Sequence, residues 1–112
     1  MDHKKVETYI LSMPNARLDY PFGEDVAVYK VGAGDTSKMF ALIAEGKTPV
    51  RLSLKCDPGL AKLLRAKYDE IMPGYHLNKK HWNTLTLTGQ IEWPEVQDLI
   101  RHSYQLVAEL TS

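Results

Sequence analysis

The chain has 112 residues, of which 44% are hydrophobic and 25% are charged, and its fourteen Lys and Arg residues balance fourteen Asp and Glu. This length and composition predict one globular domain over residues 1–112, and they exclude intrinsic disorder, which requires fewer apolar residues and more net charge. A disulfide-rich scaffold is also excluded, because Cys56 has no second cysteine to pair with.

The N-terminal segment is predicted to form an amphipathic helix over residues 3–13, which Pro14 ends. Its apolar residues lie at helical spacing and form one stripe, which consists of Val6, Tyr9, Ile10 and Met13. Residues 15–23 are predicted to be a connection whose three large apolar side chains lie against the body of the domain.

Three short strands of an antiparallel meander are predicted next. They span Val26–Val31, Met39–Ala44 and Val50–Lys55, and glycine-containing turns at residues 32–35 and 45–49 join them. The third strand alternates strictly, so one of its faces is predicted to be core and the other wet and basic. The residues of the wet face are Arg51, Ser53 and Lys55.

The second half of the chain predicts two helices and one strand. Asp57 and Pro58 are typical of a helix start, since Asp caps free N–H groups and Pro occupies the first turn without losing a bond. The buried stripe of that helix is predicted to be Leu60, Leu63 and Leu64. A polar connection runs from Tyr75 to Trp82, a strand spans Thr84–Thr88, and a last helix begins near Pro94. The order α-β-β-β-α-β-α predicts an α+β two-layer domain with a mainly antiparallel sheet.

The sequence predicts a cytoplasmic protein that does not bind membranes. Glu7 stands where a secretory signal would begin its apolar core. The run Met39–Ala44 is far shorter than the roughly 20 apolar residues that span a bilayer. The single cysteine, Cys56, fits a reducing compartment.

No metal site and no cofactor are predicted. The histidines and the cysteine lack the spacing of a closed ligand set. The four histidines are His3, His76, His81 and His102. The glycines of residues 32–34 lie between two strands rather than before a helix, so they lack the context of a nucleotide-binding loop.

Cys56 is a candidate nucleophile. It could pair in space with His76 or His81, and the N-terminus of the helix after Asp57 would lower its pKa if the sulfur faced that end. The alternative is a small buried cysteine at a strand-to-helix boundary. Because no nucleophile–base or metal arrangement is recognisable, the protein is predicted not to be an enzyme.

Charge is distributed unevenly along the chain. Residues 47–81 contain eight basic and three acidic residues, a net charge of +5, whereas the remaining residues carry −5. Basic residues interleaved with aromatic ones can bind phosphates and stack on bases. On composition alone, a solvated surface with Tyr75 and Trp82 anchoring a loop is favoured, and a nucleic-acid surface is the alternative.

Six stretches, spread over almost the whole chain and in the right order, match one known family. They are Tyr20–Gly23, Val28–Val31, Lys38–Leu42, Leu54–Pro58, Pro73–Thr84 and His102–Tyr104. With these stretches the chain resembles the MmcQ/YjbR family of small bacterial proteins, and the run HLNKKHW at residues 76–82 is the most specific match. Residues 33–37 depart from the family by lengthening a hairpin turn that is usually tight.

The resemblance implies a CyaY-like (frataxin-like) α+β fold, described as a double wing, and membership of a group described as DNA-binding. That description rests largely on fold comparison. The iron binding of frataxins, which uses an acidic first helix and edge, does not carry over. Here the first helix offers only Asp2 and Glu7 beside Lys4 and Lys5.

The leading hypothesis is therefore a non-enzymatic DNA-binding protein that contacts backbone phosphates through a basic face in residues 47–81, with about four to six contacts and a steep salt dependence. The predicted contacts are Arg51, Lys55, Lys62, Arg65, Lys79, Lys80 and His81. Tyr75, His76 and Trp82 are candidates for base stacking or for a ligand cleft, although Trp82 can equally belong to the core. The alternative is a protein- or small-ligand-binding module that uses a cleft at the Tyr75–Asn83 loop together with Tyr20–Gly23.

Overall fold

A six-stranded antiparallel sheet with three helices makes up the computed structural model, which describes residues 2–32, 34 and 37–111, with side chains through residue 108. The elements are α1 (His3–Leu11), β1 (Ala16–Asp19), β2 (Val26–Val31), β3 (Lys38–Ala44), β4 (Val50–Lys55), α2 (Pro58–Lys67), β5 (Ile71–Pro73), β6 (Trp82–Leu87) and α3 (Trp93–Thr111). The strand order is β1-β2-β3-β4-β6-β5, so β6 lies between β4 and β5.

The main hydrophobic core lies between the helices and one face of the sheet, which confirms the predicted α+β two-layer class. α3 packs against β2, β3 and β4, α1 against β1, and α2 against β5 and β6. Large fully buried side chains of this core include Ile10, Tyr29, Phe40, Ile43 and Leu52. The buried Ser103 hydroxyl of α3 donates to the Phe40 carbonyl at 2.5 Å and accepts from the Lys55 N–H at 2.9 Å, which fixes the end of β4.

The opposite face of the sheet, called the open face below, has a second and smaller apolar cluster. Directly paired residues of neighbouring strands share a face, so the pairing of Lys55 with Trp82 places both side chains on the open face. Trp82 is only 6% exposed and forms this cluster with Val28 and Leu42, against which Leu77 packs. Trp82 is therefore a core residue.

The structure corrects the prediction that residues 15–23 are a connection whose three large apolar side chains lie against the body. Leu18, Tyr20 and Phe22 are 37%, 43% and 64% exposed. Ala16–Asp19 forms the edge strand β1, which pairs with β2 over four residues. Three of its four side chains are exposed, so the strand has no apolar alternation to predict it from sequence. The three-residue edge strand β5 is missing from the predicted order for the same reason.

The predicted helices are confirmed with two changes. α1 ends at Leu11, two residues earlier than predicted. In α2 the predicted Asp57 cap is present, but the prediction that Leu63 is buried is wrong, because this side chain is 69% exposed. Leu64 is buried as predicted, and Ala61 is buried in place of Leu63, which is turned about 100° from Leu64 around the helix axis.

The three strands of the predicted meander and the alternation of β6 are confirmed, with Leu85 and Leu87 buried. The predicted wet face of β4 is wrong at Ser53, which is 8% exposed because it is covered on the open face, where its hydroxyl lies 2.8 Å from that of Thr84. Ala33 and Asp35 of the first predicted hairpin turn lie outside the described residues, as does Thr36, which follows that turn. In the described part of the chain, no helix is both long and apolar enough to cross a bilayer.

Candidate functional site

The two ends of the sheet carry opposite charges. At one end β4 finishes and β6 begins, next to the N-terminus of α2 and the loop of residues 74–81; we call this the basic end. At the other end, the acidic end, β2 and β5 begin and β3 finishes. Carboxylates that flank strand termini at the acidic end are Glu24, Asp25, Glu45 and Glu70.

Folding brings six of the seven predicted phosphate contacts to the basic end. They are Lys55, Lys62, Arg65, Lys79, Lys80 and His81. The seventh, Arg51, lies on the open face opposite Thr86, four residues before Lys55. At about 3.3 Å per residue, this separates Arg51 from the end of β4 by about 13 Å.

Three of these cations line one pocket. The pocket has a volume of about 230 Å³, and its lining residues are Pro58, Gly59, Lys62, Arg65 and Lys80; we call it the cation pocket. Among the described residues, the ion pairs join other side chains, and none of the three cations of the pocket pairs with a carboxylate. Cations without a carboxylate partner favour an anion in the pocket. The Asp57 carboxylate at its edge accepts from the Gly59 N–H at 3.1 Å.

Arg65 is held in place by the neighbouring strand and loop. Its Nη1 donates to Oδ1 of Asn83 at 2.9 Å and to the Lys79 carbonyl at 3.1 Å. Asn83 is 2% exposed and also donates from Nδ2 to the Ala61 carbonyl at 3.3 Å. Because Asn83 connects β6 to α2 in this way, the guanidinium is fixed before any ligand arrives.

The loop of residues 74–81 is closed by hydrogen bonds near its ends. The Gly74 N–H donates to the Trp82 carbonyl at 2.8 Å, and Nζ of Lys79 donates to the Gly74 carbonyl at 3.0 Å. The Lys79 ammonium thus has a role within the loop, whereas the exposed side chain of Lys80 lines the cation pocket.

The aromatic residues of the loop differ in exposure. Tyr75 is 67% exposed, and its ring centroid lies 4.0 Å from that of His76, so both rings are at the surface. The ring of Trp82 belongs to the core and is covered. Neither the cation pocket nor a cavity of about 10 Å³ beside Cys56 is lined by any of these three side chains.

The hypothesis that the α2 N-terminus activates Cys56 is contradicted. Burial and the neighbouring Asp57 carboxylate raise the pKa of the thiol to about 11, and burial is the larger cause. The contact between Cys56 and His81 is a backbone one, in which the Cys56 N–H donates to the His81 carbonyl at 2.8 Å. Its burial and raised pKa therefore favour the alternative, a small buried cysteine at a strand-to-helix boundary.

We expect thiol-specific alkylation of the native protein to be very slow. With a pKa of about 11, only about one thiol in a thousand is ionised at pH 8. The rate of labelling by iodoacetamide should rise steadily with pH up to about pH 10, and denaturant should accelerate it strongly. A plateau of the labelling rate near neutral pH would contradict this assignment.

Sequence reasoning did not single out Gly74 and Asn83 as supports of this site. Asparagine is disfavoured inside strands, so Asn83 between Trp82 and Thr84 was a signal of a buried polar role. Gly74 follows Pro73, and this pair indicates only a break in the chain. Among the described residues, no group of three or more His, Cys, Asp or Glu side chains is arranged to hold a metal ion.

Comparison of the sequence with known proteins gives matches over most of the chain. A family model described as YjbR matches residues 11–106. The uncharacterized protein YbdF of Escherichia coli O157:H7 is 35% identical over 107 residues, which cover 96% of this chain and 84% of that protein. The uncharacterized protein YjbR of Escherichia coli K12 is 38% identical over 72 residues, which cover 64% of this chain and 61% of that protein.

Comparison of the fold with solved structures agrees with these matches. The crystal structure of a Deinococcus radiodurans protein with a DUF419 domain has a TM-score of 0.90 and 39% sequence identity, covering 95% of this chain and 78% of that one. The crystal structure of a Pseudomonas syringae protein has a TM-score of 0.79 and 31% identity, covering 96% and 99% of the two chains. Both structures therefore share the fold of this chain over almost its whole length.

Proposed function

The chain belongs to the YjbR family, and we propose that it is a non-enzymatic protein that binds DNA by contacting backbone phosphates with the basic end of its sheet. The observation that carries the proposal is the separation of charge between the two ends. A chain with zero net charge presents several cations at one end, and those of the cation pocket have no carboxylate partners among the described residues.

Phosphate contacts contribute most of the affinity of a protein for DNA, and they need cations that no carboxylate neutralises. Lys62, Arg65 and Lys80 meet this condition in the cation pocket. Lys55 and His81 lie at the same end of the sheet, at the end of β4 and just before β6, with the Lys55 side chain on the open face. They add cations to this end outside the pocket.

Tyr75 and His76 belong to the loop of residues 74–81, and their exposed rings supply aromatic surface for bases of single-stranded DNA. The non-enzymatic part of the proposal is supported by the raised pKa of Cys56, which leaves the thiol protonated near neutral pH. The same free cysteine supports an action in the cytoplasm.

We expect the Lys62→Ala/Lys80→Ala double variant to bind DNA at least tenfold more weakly than the unchanged protein at low salt. Each lost phosphate contact costs about 1 kcal/mol or more at low ionic strength. Fluorescence anisotropy with labelled duplex and single-stranded oligonucleotides of several sequences measures the effect, which should be similar for all sequences because phosphates carry no base information.

The matched control is the Lys4→Ala/Lys47→Ala double variant, which removes the same charge from exposed residues of α1 and of the turn after β3. Its affinity should stay within about threefold of the unchanged protein, since long-range charge effects are screened at about 10 Å. Equal loss in both variants would show a nonspecific charge effect, and absence of DNA binding by the unchanged protein would defeat the proposal.

A further inference from the structure

The cation pocket is a concave site within the basic end, and we infer that it takes the terminal phosphate of a DNA strand in preference to an internal phosphodiester. This inference rests on the proposed function and names the part of DNA that the pocket recognises. Two of its cations, Lys62 and Arg65, are three residues apart and lie on the same side of α2, and Lys80 comes from the facing loop. The three cationic residues therefore line one pocket from two elements.

The size of the pocket restricts its ligand. Its volume of about 230 Å³ is smaller than that of pockets for drug-sized molecules, which are roughly 300–1,000 Å³. A single phosphate group fits in this volume, which is small for a base together with its sugar and phosphate. The remainder of the strand then continues along the surface outside the pocket, where the 74–81 loop that supplies Lys80 lies.

Charge distinguishes a terminal phosphate from an internal one. A phosphomonoester carries about −1.5 to −2 at pH 7 and presents three free oxygens, whereas a phosphodiester carries −1 and presents two. Three cations match the monoester better. Arg65 already uses Nη1 for Asn83 and Lys79, and in the described part of the chain its Nη2 and Nε have no protein partner, so two donors remain for phosphate oxygens.

The N-terminus of α2 is not the source of this preference. Oδ2 of Asp57 accepts from the N–H groups of Gly59 and Leu60 at 3.1 Å each, so these donors are occupied. The side-chain cations alone supply the attraction, and their removal should therefore abolish it.

The experiment compares two otherwise identical single-stranded oligonucleotides, one with a 5′-phosphate and one with a 5′-hydroxyl, each labelled at the 3′ end. We expect the phosphorylated strand to bind the unchanged protein about tenfold more tightly, the effect of roughly one additional charge-assisted contact. The difference should disappear in Lys62→Ala and Lys80→Ala and persist in the Lys4→Ala/Lys47→Ala control. A parallel titration with inorganic phosphate, followed by NMR, should shift the backbone amides of Lys62, Arg65 and Lys80 first.

Each result decides between the inference and the broader proposal. Equal affinity for the two strands overturns the terminal-phosphate inference and leaves DNA binding intact. Absence of binding to either strand overturns both, and if inorganic phosphate still shifts the pocket amides, the site serves a small phosphate ester instead. If inorganic phosphate shifts amide signals evenly over the whole surface, the cations form no pocket for phosphate in solution.

Discussion

Replacing Gly74 by alanine is expected to lower the free energy of unfolding by about 3 kcal/mol, because there is no room for the added methyl group. A Cβ at this buried position would lie 2.6 Å from Cβ of Trp82 and 3.1 Å from Cβ of Leu77. The first contact is closer than real Cβ atoms allow and is to an atom fixed by the β6 backbone, and the second is tighter than most real Cβ contacts. The loop that carries Lys80 must therefore move away from the sheet.

Chemical denaturation measures this loss, and the melting temperature should fall by about 10 °C. Gly59→Ala is the matched control, since its Cβ would meet only the flexible Asp57 carboxylate at 3.3 Å. Its free energy of unfolding should change by less than about 1 kcal/mol. If Gly74→Ala is as stable as Gly59→Ala, the described packing of the loop on Trp82 is wrong.

Replacing Asn83 by alanine is expected to cost about 2–3 kcal/mol of unfolding free energy. The substitution removes a buried amide that accepts from Arg65 at 2.9 Å and donates to the Ala61 carbonyl at 3.3 Å. A hydrogen bond to a charged group contributes about 1.5–3 kcal/mol, and the cavity left behind adds to the loss. Thr86→Ala, on the open face of the same strand, is the control and should cost about 1 kcal/mol or less.

A double-mutant cycle isolates the contact that holds the guanidinium. With Asn83→Ala, Arg65→Ala and the double variant, the two losses should fall short of additivity by at least about 1 kcal/mol. Additive losses would show that Asn83 supports the fold without positioning Arg65. The cation pocket would then lack the fixed arginine on which its geometry depends.

The strands and helices that face the main core could be predicted from the sequence because burial imposes a period on them. The sequence of β4 alternates apolar and polar residues with a period of two, and the buried residues Val6 and Ile10 of α1 are four residues apart, which is helical spacing. The edge strands β1 and β5 could not be predicted, since they are short and mostly exposed, and their backbone pairing leaves no pattern in the side chains.

The candidate site could be predicted only as a list of cations. The excess of cations in residues 47–81 is visible in the sequence. Whether these cations come together depends on the strand order, in which β6 lies between β4 and β5. That strand order places Lys80 against α2, and it leaves Arg51 at a distance along β4. The burial of Trp82 depends likewise on Val28 and Leu42, which are far away in sequence.

The salt dependence of DNA binding tests the central claim, that the basic end contacts backbone phosphates, most directly. The affinity of the unchanged protein for a duplex oligonucleotide is measured between about 50 and 200 mM salt. With about four to six phosphate contacts, the plot of log Kobs against log salt concentration should have a slope between about −3.5 and −5.5, and Lys62→Ala/Lys80→Ala should reduce its magnitude by about 1.8. A slope near zero, or a slope that the double variant leaves unchanged, would contradict the claim.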